Sequence, residues 1–217
     1  MGQVATDCLK SEIDLPPKRR AMIDAAEDLF LSHGYEATSM DAVARQAGVS
    51  KATLYAHFTS KDLLFATIVG ERGILQKFDD ADFPDEPDDL RACLVRIGEC
   101  WLEFMMRPRT LAIYRIAVAE SARFPEVGRA FYENGPKRTH ARFTDWAQTL
   151  QDRGMIEAND LPTAAVQFFA LLKGSMFMRA TLALDPAATA RDIAASVGVT
   201  VDTWLRAYGR RIAPPAG

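Results

Sequence analysis

Three cysteines in 217 residues (Cys8, Cys93 and Cys100) are too few and too odd in number for a disulfide framework, which points to a reducing compartment. Cys93 and Cys100 share one predicted helix at a separation of about 10 Å, beyond disulfide reach, so both are read as buried apolar side chains. Long hydrophobic runs are missing too: none approaches the ~18 uncharged residues that a membrane span requires. The N-terminus also lacks the basic-then-apolar order of a signal peptide, and the expectation is a cytoplasmic protein with no membrane contact. Met1 to Thr6 fits the loose myristoylation pattern, but no polybasic segment supplies a second anchor, so residues 1–15 are read as a disordered leader.

Positive charge is equally scarce. The formal net charge is −3, and the first 61 residues hold seven Lys or Arg against eight Asp or Glu. That balance argues against a general nucleic-acid coat protein, so any DNA binding must rest on a few placed cations. Catalytic constellations are absent as well. The sequence has no glycine-rich phosphate loop and no G-x-S-x-G serine, and His33, His57 and His140 lack metal-ligand spacing. No catalytic residue, metal or cofactor is expected. The acidic segment at 79–89 is interrupted by Pro84 and Pro87 and lacks the glycine of a calcium loop. It reads as a solvated linker in which Asp88 or Asp89 caps the next helix.

What remains is helical periodicity, and the fold class it predicts is all-α with about nine helices. Pro16 and Pro17 open the first, with Met22, Ile23, Ala26, Leu29 and Phe30 as its apolar stripe and Gly34 as its stop. Lys18, Arg19 and Arg20 at its start are read either as phosphate contacts or as a solvated helix end. The segment Ser39–Lys61 then carries two short helices around a turn. Met40, Val43, Ala44 and Ala47 form one buried face, Gly48 takes the turn, and Val49 returns to the core. Ser50 caps a second helix with Leu54 and Phe58 inward, leaving Lys51, Ala52, Thr53, Tyr55, Ala56 and His57 outward. Ser60 caps a further helix running to about Phe78, and Lys61 in its first turn opposes the macrodipole, as an anion site would.

Downstream, helices follow with stripes at Leu90 to Phe104, Leu111 to Val118, Phe131 and Tyr132, and Phe143 to Leu150. Residues 162–182 carry two apolar seams, one for the chain's own body and one for a partner. With the last helix, this places Phe168, Leu171, Gly174, Ser175, Met178, Val201 and Trp204 at an expected homodimer interface, where Gly174 would admit a close-packed partner helix. Aromatic side chains between the middle helices (Trp101, Phe104, Met105, Tyr114, Phe131, Phe143 and Trp146) are the expected lining of a ligand pocket.

Residues 18–64 resemble the N-terminal domain of the TetR family of transcriptional regulators. The resemblance is carried by Phe30, HGYEATS at 33–39, Ala44, Ala47 to Ser50, Thr53 to Tyr55, His57, Phe58 and Lys61 to Leu64. Residues 111–136 resemble the regulatory half of the AefR-like subgroup. The resemblance implies a DNA-binding head at 16–78 with its helix-turn-helix at 39–58, a ligand-binding and dimerisation body at 90–209, and a tail at 210–217. It also implies a DNA-contacting set of Ser39, Lys51, Ala52, Thr53, Tyr55, Ala56, His57 and Lys61, with Tyr55 and Lys61 as phosphate clamps. The partners implied are a palindromic double-stranded operator, a second copy of the chain and a small apolar or aromatic effector. Asp41 departs from the family pattern and could repel phosphate or accept from a cytosine amino group. The function expected is a ligand-responsive homodimeric repressor; the alternative is a small-molecule-binding or catalytic helical protein that keeps the head as scaffold.

Overall fold

The computed structural model describes residues 15–73, 78, 82–184 and 188–210. The leader up to residue 14 with Cys8, the helix continuation through Ile74, the acidic residues 79–81 and the tail at 211–217 lie outside the described residues. Among those described, the chain forms ten helices and no strand, apart from one isolated bridge between Ile156 and Gly209. They are α1 (Pro17–Ala37), α2 (Met40–Gln46), α3 (Lys51–His57), α4 (Lys61–Glu71), α5 (Leu90–Met105), α6 (Pro108–Glu120), α7 (Pro125–Asn134), α8 (Pro136–Asp152), α9 (Leu161–Thr181) and α10 (Ala190–Tyr208). The all-α class is as predicted. The first turn of α1 holds Pro17, and α6 and α7 each begin at a proline, where the missing N–H costs nothing.

The helices group into two compact units. One comprises the described parts of Lys10–Lys77 and Arg107–Arg138, the other those of Phe78–Met106 and Thr139–Gly217. This grouping differs from the head and body divided at the acidic linker, because α6 and α7 join the first unit. Ile113, Ala117 and Val127 are buried in the same cluster as Phe30, Val43, Leu54, Leu64 and Phe65. Helix α4 ends at Glu71 with Arg72 as its C-cap.

Charge reinforces that apolar cluster. Glu27 lies on the inner stripe of α1 with only 4% of its surface exposed. Its carboxylate accepts from Arg72 Nη1 at 2.8 Å and from Arg109 Nε at 2.7 Å. Arg72 also pairs with Asp24, and Arg109 with Asp28 at 3.0 Å. A buried carboxylate needs such partners, since its desolvation is otherwise uncompensated. The end of α4 and the start of α6 are thereby tied to one residue of α1.

In the second unit α10 packs on α5 and on α9. Its centre is aromatic: Phe143 stacks on Phe168 at 4.8 Å and meets Trp146 at 5.4 Å and Trp204 at 5.9 Å edge-on. The Trp204 indole donates to the Ala164 carbonyl at 2.9 Å, which satisfies its polar edge inside the core. Phe168, Val201 and Trp204 are therefore core residues of the chain itself, with 0%, 0% and 1% exposure, and not the interface expected of them. The other four residues of that set, Leu171, Gly174, Ser175 and Met178, are exposed.

Gly174 has φ 46° and ψ −158°, a conformation closed to residues with a β-carbon, and it kinks α9. The predicted helix with two apolar seams is thus a bent one. At 21 residues α9 is also long and apolar enough, by composition alone, to cross a membrane, although the sequence reading found no such run. Lys173 interrupts the uncharged stretch, and Phe168, Phe169 and Leu172 are buried within the unit.

The described part of the acidic segment is solvated at Asp85, Glu86, Asp88 and Asp89 but anchored at its start. Phe83 is buried against Trp146 at 5.6 Å under the Arg142 guanidinium, and the Trp146 indole donates to the Pro84 carbonyl at 2.8 Å. Asp82 pairs with Arg96, and Asp89 caps α5 through the Ala92 N–H at 3.0 Å. Cys93 and Cys100 are buried free thiols, as predicted.

Replacing Arg72 with Ala leaves Glu27 buried with Arg109 alone and is expected to cost about 1–3 kcal/mol of stability. Urea denaturation of the purified protein measures it, and a loss below about 0.5 kcal/mol would reduce the network to surface decoration.

Candidate nucleic-acid interface

The helix-turn-helix is built by three serine caps and one left-handed turn. Ser39 accepts from Ala42 N at 3.2 Å, Ser50 from Thr53 N at 3.0 Å and Ser60 from Leu63 N at 3.3 Å. Each satisfies a free N–H at the start of a short helix that its own length could not stabilise. Between α2 and α3, Gly48 adopts φ 67°, and Val49 N donates back to the Ala44 carbonyl at 3.0 Å. Gly48 is required here because this hand of turn is strained for any other residue.

Helix α3 is anchored from one side only. Leu54 and the following Phe58 are buried, with 0% and 1% exposure. Lys51, Ala52, Tyr55, Ala56 and His57 are exposed, and Thr53 is half-buried with its hydroxyl 2.8 Å from that of Ser50. Ser39, at the start of α2, is exposed as well. The outward surface thus combines two small residues, which permit close approach, with a cation, a phenol and an imidazole, the inventory that base edges and phosphates call for.

Two charged residues behave differently from the sequence reading. Lys51 is bound by Asp41, with Nζ at 2.8 Å and 3.1 Å from the two carboxylate oxygens and 5.9 Å from the Tyr55 ring. The hydrogen bond to Asp41 holds the Lys51 ammonium above the ordinary lysine range. Asp41 is therefore the local counter-ion of a recognition-helix cation, a role its position in the sequence did not announce.

Lys61 differs more. Its three ammonium protons go to the carbonyls of Tyr35 (2.7 Å), Glu36 (3.2 Å) and Thr38 (3.1 Å), at the C-terminal end of α1, and Nζ sits 4.2 Å from the Tyr35 ring centroid. The physical reason is the opposite dipole end: the last carbonyls of α1 are unsatisfied acceptors and attract a cation. Burial nevertheless pushes the ammonium below the usual lysine range, against the pull of Glu120, Glu36 and Glu126. With every donor engaged, Lys61 fastens α4 to α1, and the phosphate clamp assigned to it is corrected.

Of the N-terminal cations, Arg19 pairs with Glu71 and lies over the Phe58 ring at 4.9 Å, so it serves packing. Arg45, not singled out from the sequence, is exposed in the last turn of α2. Its position two residues beyond Val43, off the buried stripe, was the signal that could have identified it.

The residues predicted to line a pocket separate into two groups. Tyr114 and Phe131, 5.8 Å apart, belong to the first unit, and the others to the second. Phe143 and Trp146 are sealed in the aromatic core, so they line no open space. Trp101 packs against Phe169 at 5.2 Å. No group of three or more His, Cys, Asp or Glu able to hold a metal occurs among the described residues.

The family model of the bacterial regulatory proteins of the tetR family matches residues 22–68, and that of the C-terminal domain of AefR-like transcriptional repressors matches residues 92–210. The chain is 31% identical over 203 residues to the HTH-type transcriptional regulator BetI of Rhizobium meliloti, covering 89% of this chain and 92% of that one. Among solved structures it is similar to a TetR-family regulator of Mesorhizobium loti, at 30% identity and TM-score 0.76 over 89% of this chain and 97% of the other. It is also similar to the flavonoid-responsive regulator FrrA, at 34% identity and TM-score 0.73 over 89% and 98%.

Asp41→Asn should release Lys51 and tighten binding to any duplex, steepening the salt dependence of log K by about 0.9 for one added phosphate contact. Fluorescence anisotropy across a salt series reads this, and an unchanged slope would mean that Asp41 does not restrain the cation. Lys61→Met is expected to destabilise the fold by about 1–3 kcal/mol, since three helix-end carbonyls lose their donor. Full stability together with lost DNA affinity would return Lys61 to the phosphate backbone.

Proposed function

We propose that this chain, which belongs to the TetR family and is a DNA-binding transcriptional regulator, works as a homodimeric repressor released by an aromatic effector. The observation that carries the DNA reading is the one-sided anchoring of α3. Its apolar residues are consumed by the core, and the outward set is held only at its edges, Lys51 by Asp41, Thr53 by Ser50 and His57 by a ring contact with Phe58. In this reading Lys51, Ala52, Thr53, Tyr55, Ala56 and His57 face the major groove, with Tyr55 on phosphate. Ser39 and Arg45 on α2 contact the flanking backbone. The thin positive field makes random DNA a weak ligand, so affinity depends on two heads engaging a palindrome together, with half-sites about 34 Å apart or a multiple of it.

The second copy is assigned to the outer face of α9 and α10. Leu171, Met178, Leu182 and Val199 are 43%, 63%, 61% and 69% exposed, an apolar set that the described residues of the chain leave uncovered. This replaces the interface expected from the sequence by its exposed half, and the bend at Gly174 shapes it. The effector class is supported by the likeness to FrrA, whose flavonoid response comes to this chain as a polycyclic phenol. A coupling of roughly 1–3 kcal/mol between effector and operator suffices for regulation. The reading is of a cytoplasmic regulator without catalytic activity.

Selection of genomic fragments by the purified protein, followed by competition with a flavonoid such as naringenin, tests the whole reading. Tyr55→Ala is expected to weaken the selected operator by about 10-fold or more, equivalent to ~1.4 kcal/mol, with dimerisation and melting temperature unchanged. Equal affinity of this variant and the wild type would remove α3 from the groove.

A further inference from the structure

The chain passes from α1 to α2 through a hinge. Regular helix ends at Gly34, where φ is 82° and ψ is 170°, and only Tyr35 to Thr38 separate it from Ser39, the cap of α2. Glycine has many backbone angles open to it, so the direction of the segment beyond Gly34 is fixed by what packs on that segment. Tyr35, with 2% exposure, is the side chain that is held. Phe30 of α1 stacks on it at 5.4 Å, Phe65 of α4 meets it edge-on at 5.8 Å, and Phe124 packs on it at 5.6 Å.

Phe124 comes from the corner between α6 and α7. This corner lies within residues 92–210, matched by the AefR-like C-terminal family model, yet it packs in the same compact unit as α1 to α4. It is tightly closed. Phe124 N donates to the Glu120 carbonyl at 2.7 Å, Val127 N donates to the Phe124 carbonyl at 2.9 Å, and Pro125 begins α7 at once. Gly128 brings α7 so near the end of α6 that a β-carbon there would lie 2.9 Å from Ser121 Cβ. The corner also grips α1 by charge, since Arg123 pairs with Glu36. The Glu120 carboxylate lies beside the hinge itself, 3.8 Å from where a β-carbon on Gly34 would be. Lys61 holds the carbonyls of this turn, whereas the corner holds its side chains, Tyr35 and Glu36.

We propose that Phe124 and Arg123 are positioning residues for DNA reading: the α6–α7 corner locks the hinge at Gly34 and so fixes the direction in which α2 and α3 leave α1. Neither residue touches DNA. They act through Tyr35 and Glu36, and a small swing at the hinge moves the whole recognition helix. The inference rests on the reading of two heads engaging one palindrome, and what the lock sets is the half-site spacing that the pair accepts.

Selection of duplexes from a random-sequence library by the full-length protein and its variants reads half-site sequence and spacer length separately. The wild type is expected to yield one repeated half-site at one dominant spacer. Phe124→Ala should keep the half-site, shift or broaden the spacer by about one base pair or more, and bind the wild-type duplex about 10-fold more weakly. Phe124→Tyr, which keeps the ring, should restore both. Arg123→Glu should act in the same direction, and adding Glu36→Arg to it should return the wild-type spacer. An exposed pair contributes little to folding, so that reversal and its rescue report placement. A repeated half-site with one unchanged spacer in the wild type, Phe124→Ala and Arg123→Glu overturns the inference and leaves the paired heads standing. Loss of the half-site itself in the variants also overturns it, since the corner would then support the fold of α3 instead of its direction. No repeated half-site in the wild type overturns the paired heads and the inference together. Should Phe124→Ala fail to fold, the Arg123 and Glu36 charge reversals decide alone.

Discussion

The ammonium of Lys61 under the last carbonyls of α1 is the contact on which the head depends. Helix α1 is 21 residues long but loses regular geometry at Gly34, where φ is 82°, and the carbonyls of its final turn need outside donors. Lys61 supplies them, while Thr38 closes the same turn by donating to the Gly34 carbonyl at 2.8 Å. Around that junction Tyr35 is held by Phe30, Phe65 and Phe124 at 5.4–5.8 Å, and burial with nearby carboxylates pushes its phenol up to about 12. The direction from which the chain enters α2 is set here, and Ser39 then starts α2 at once. Two motifs that look independent in sequence, HGYEATS and the Lys61 to Leu64 block, are two sides of one joint.

That joint explains how a protein of net negative charge presents a DNA-reading surface. The cations that a charge count would enlist are mostly occupied within the fold. Arg19 serves Glu71 and Phe58, Lys61 serves helix carbonyls, and Lys51 is held by Asp41. A head with so little free positive charge gains little from counterion release on arbitrary DNA. On the proposed reading, discrimination then rests on the shape and hydrogen-bonding groups of α3, and on the spacing of two heads. Asp41 contributes to the same end, because a base or phosphate must displace it to reach Lys51, which penalises loose encounters more than fitted ones.

Much of this was legible in the sequence where local rules govern. Helix periodicity, proline starts, the serine caps, Gly48 and the inward pair Leu54 and Phe58 all follow from spacing within a few residues. What was hidden depends on partners far along the chain. Nothing near Lys61 shows that its acceptors are 23 to 26 residues earlier, and Glu27 is legible as a core residue only once Arg72 and Arg109, 45 and 82 residues away, are seen beside it. The seams of α9 failed for a related reason. Periodicity identifies a helix buried on two sides but not which partner covers each, and Phe168, Val201 and Trp204 proved to be covered by the chain's own aromatic core. The acidic segment misled by composition, because Phe83 outweighs its carboxylates in deciding where the backbone lies.

The same long-range pairs bear on how the head could be moved. Helix α4 is fixed to α1 at both ends, at its start by Lys61 under the α1 carbonyls and at its end by Arg72 on Asp24 and Glu27. Arg109 brings the first turn of α6 to the same Glu27. With three helices meeting at one buried carboxylate, displacing α4 or α6 alone would leave Glu27 with one of its two guanidinium partners, a cost of the same order as the coupling that regulation requires. On the proposed reading, an effector signal that reaches either helix therefore turns α1, and α2 and α3 behind it, as one piece. A rotation of whole heads changes the distance between two recognition helices while leaving each one intact. Such a motion releases a palindrome without unfolding the surface that reads it.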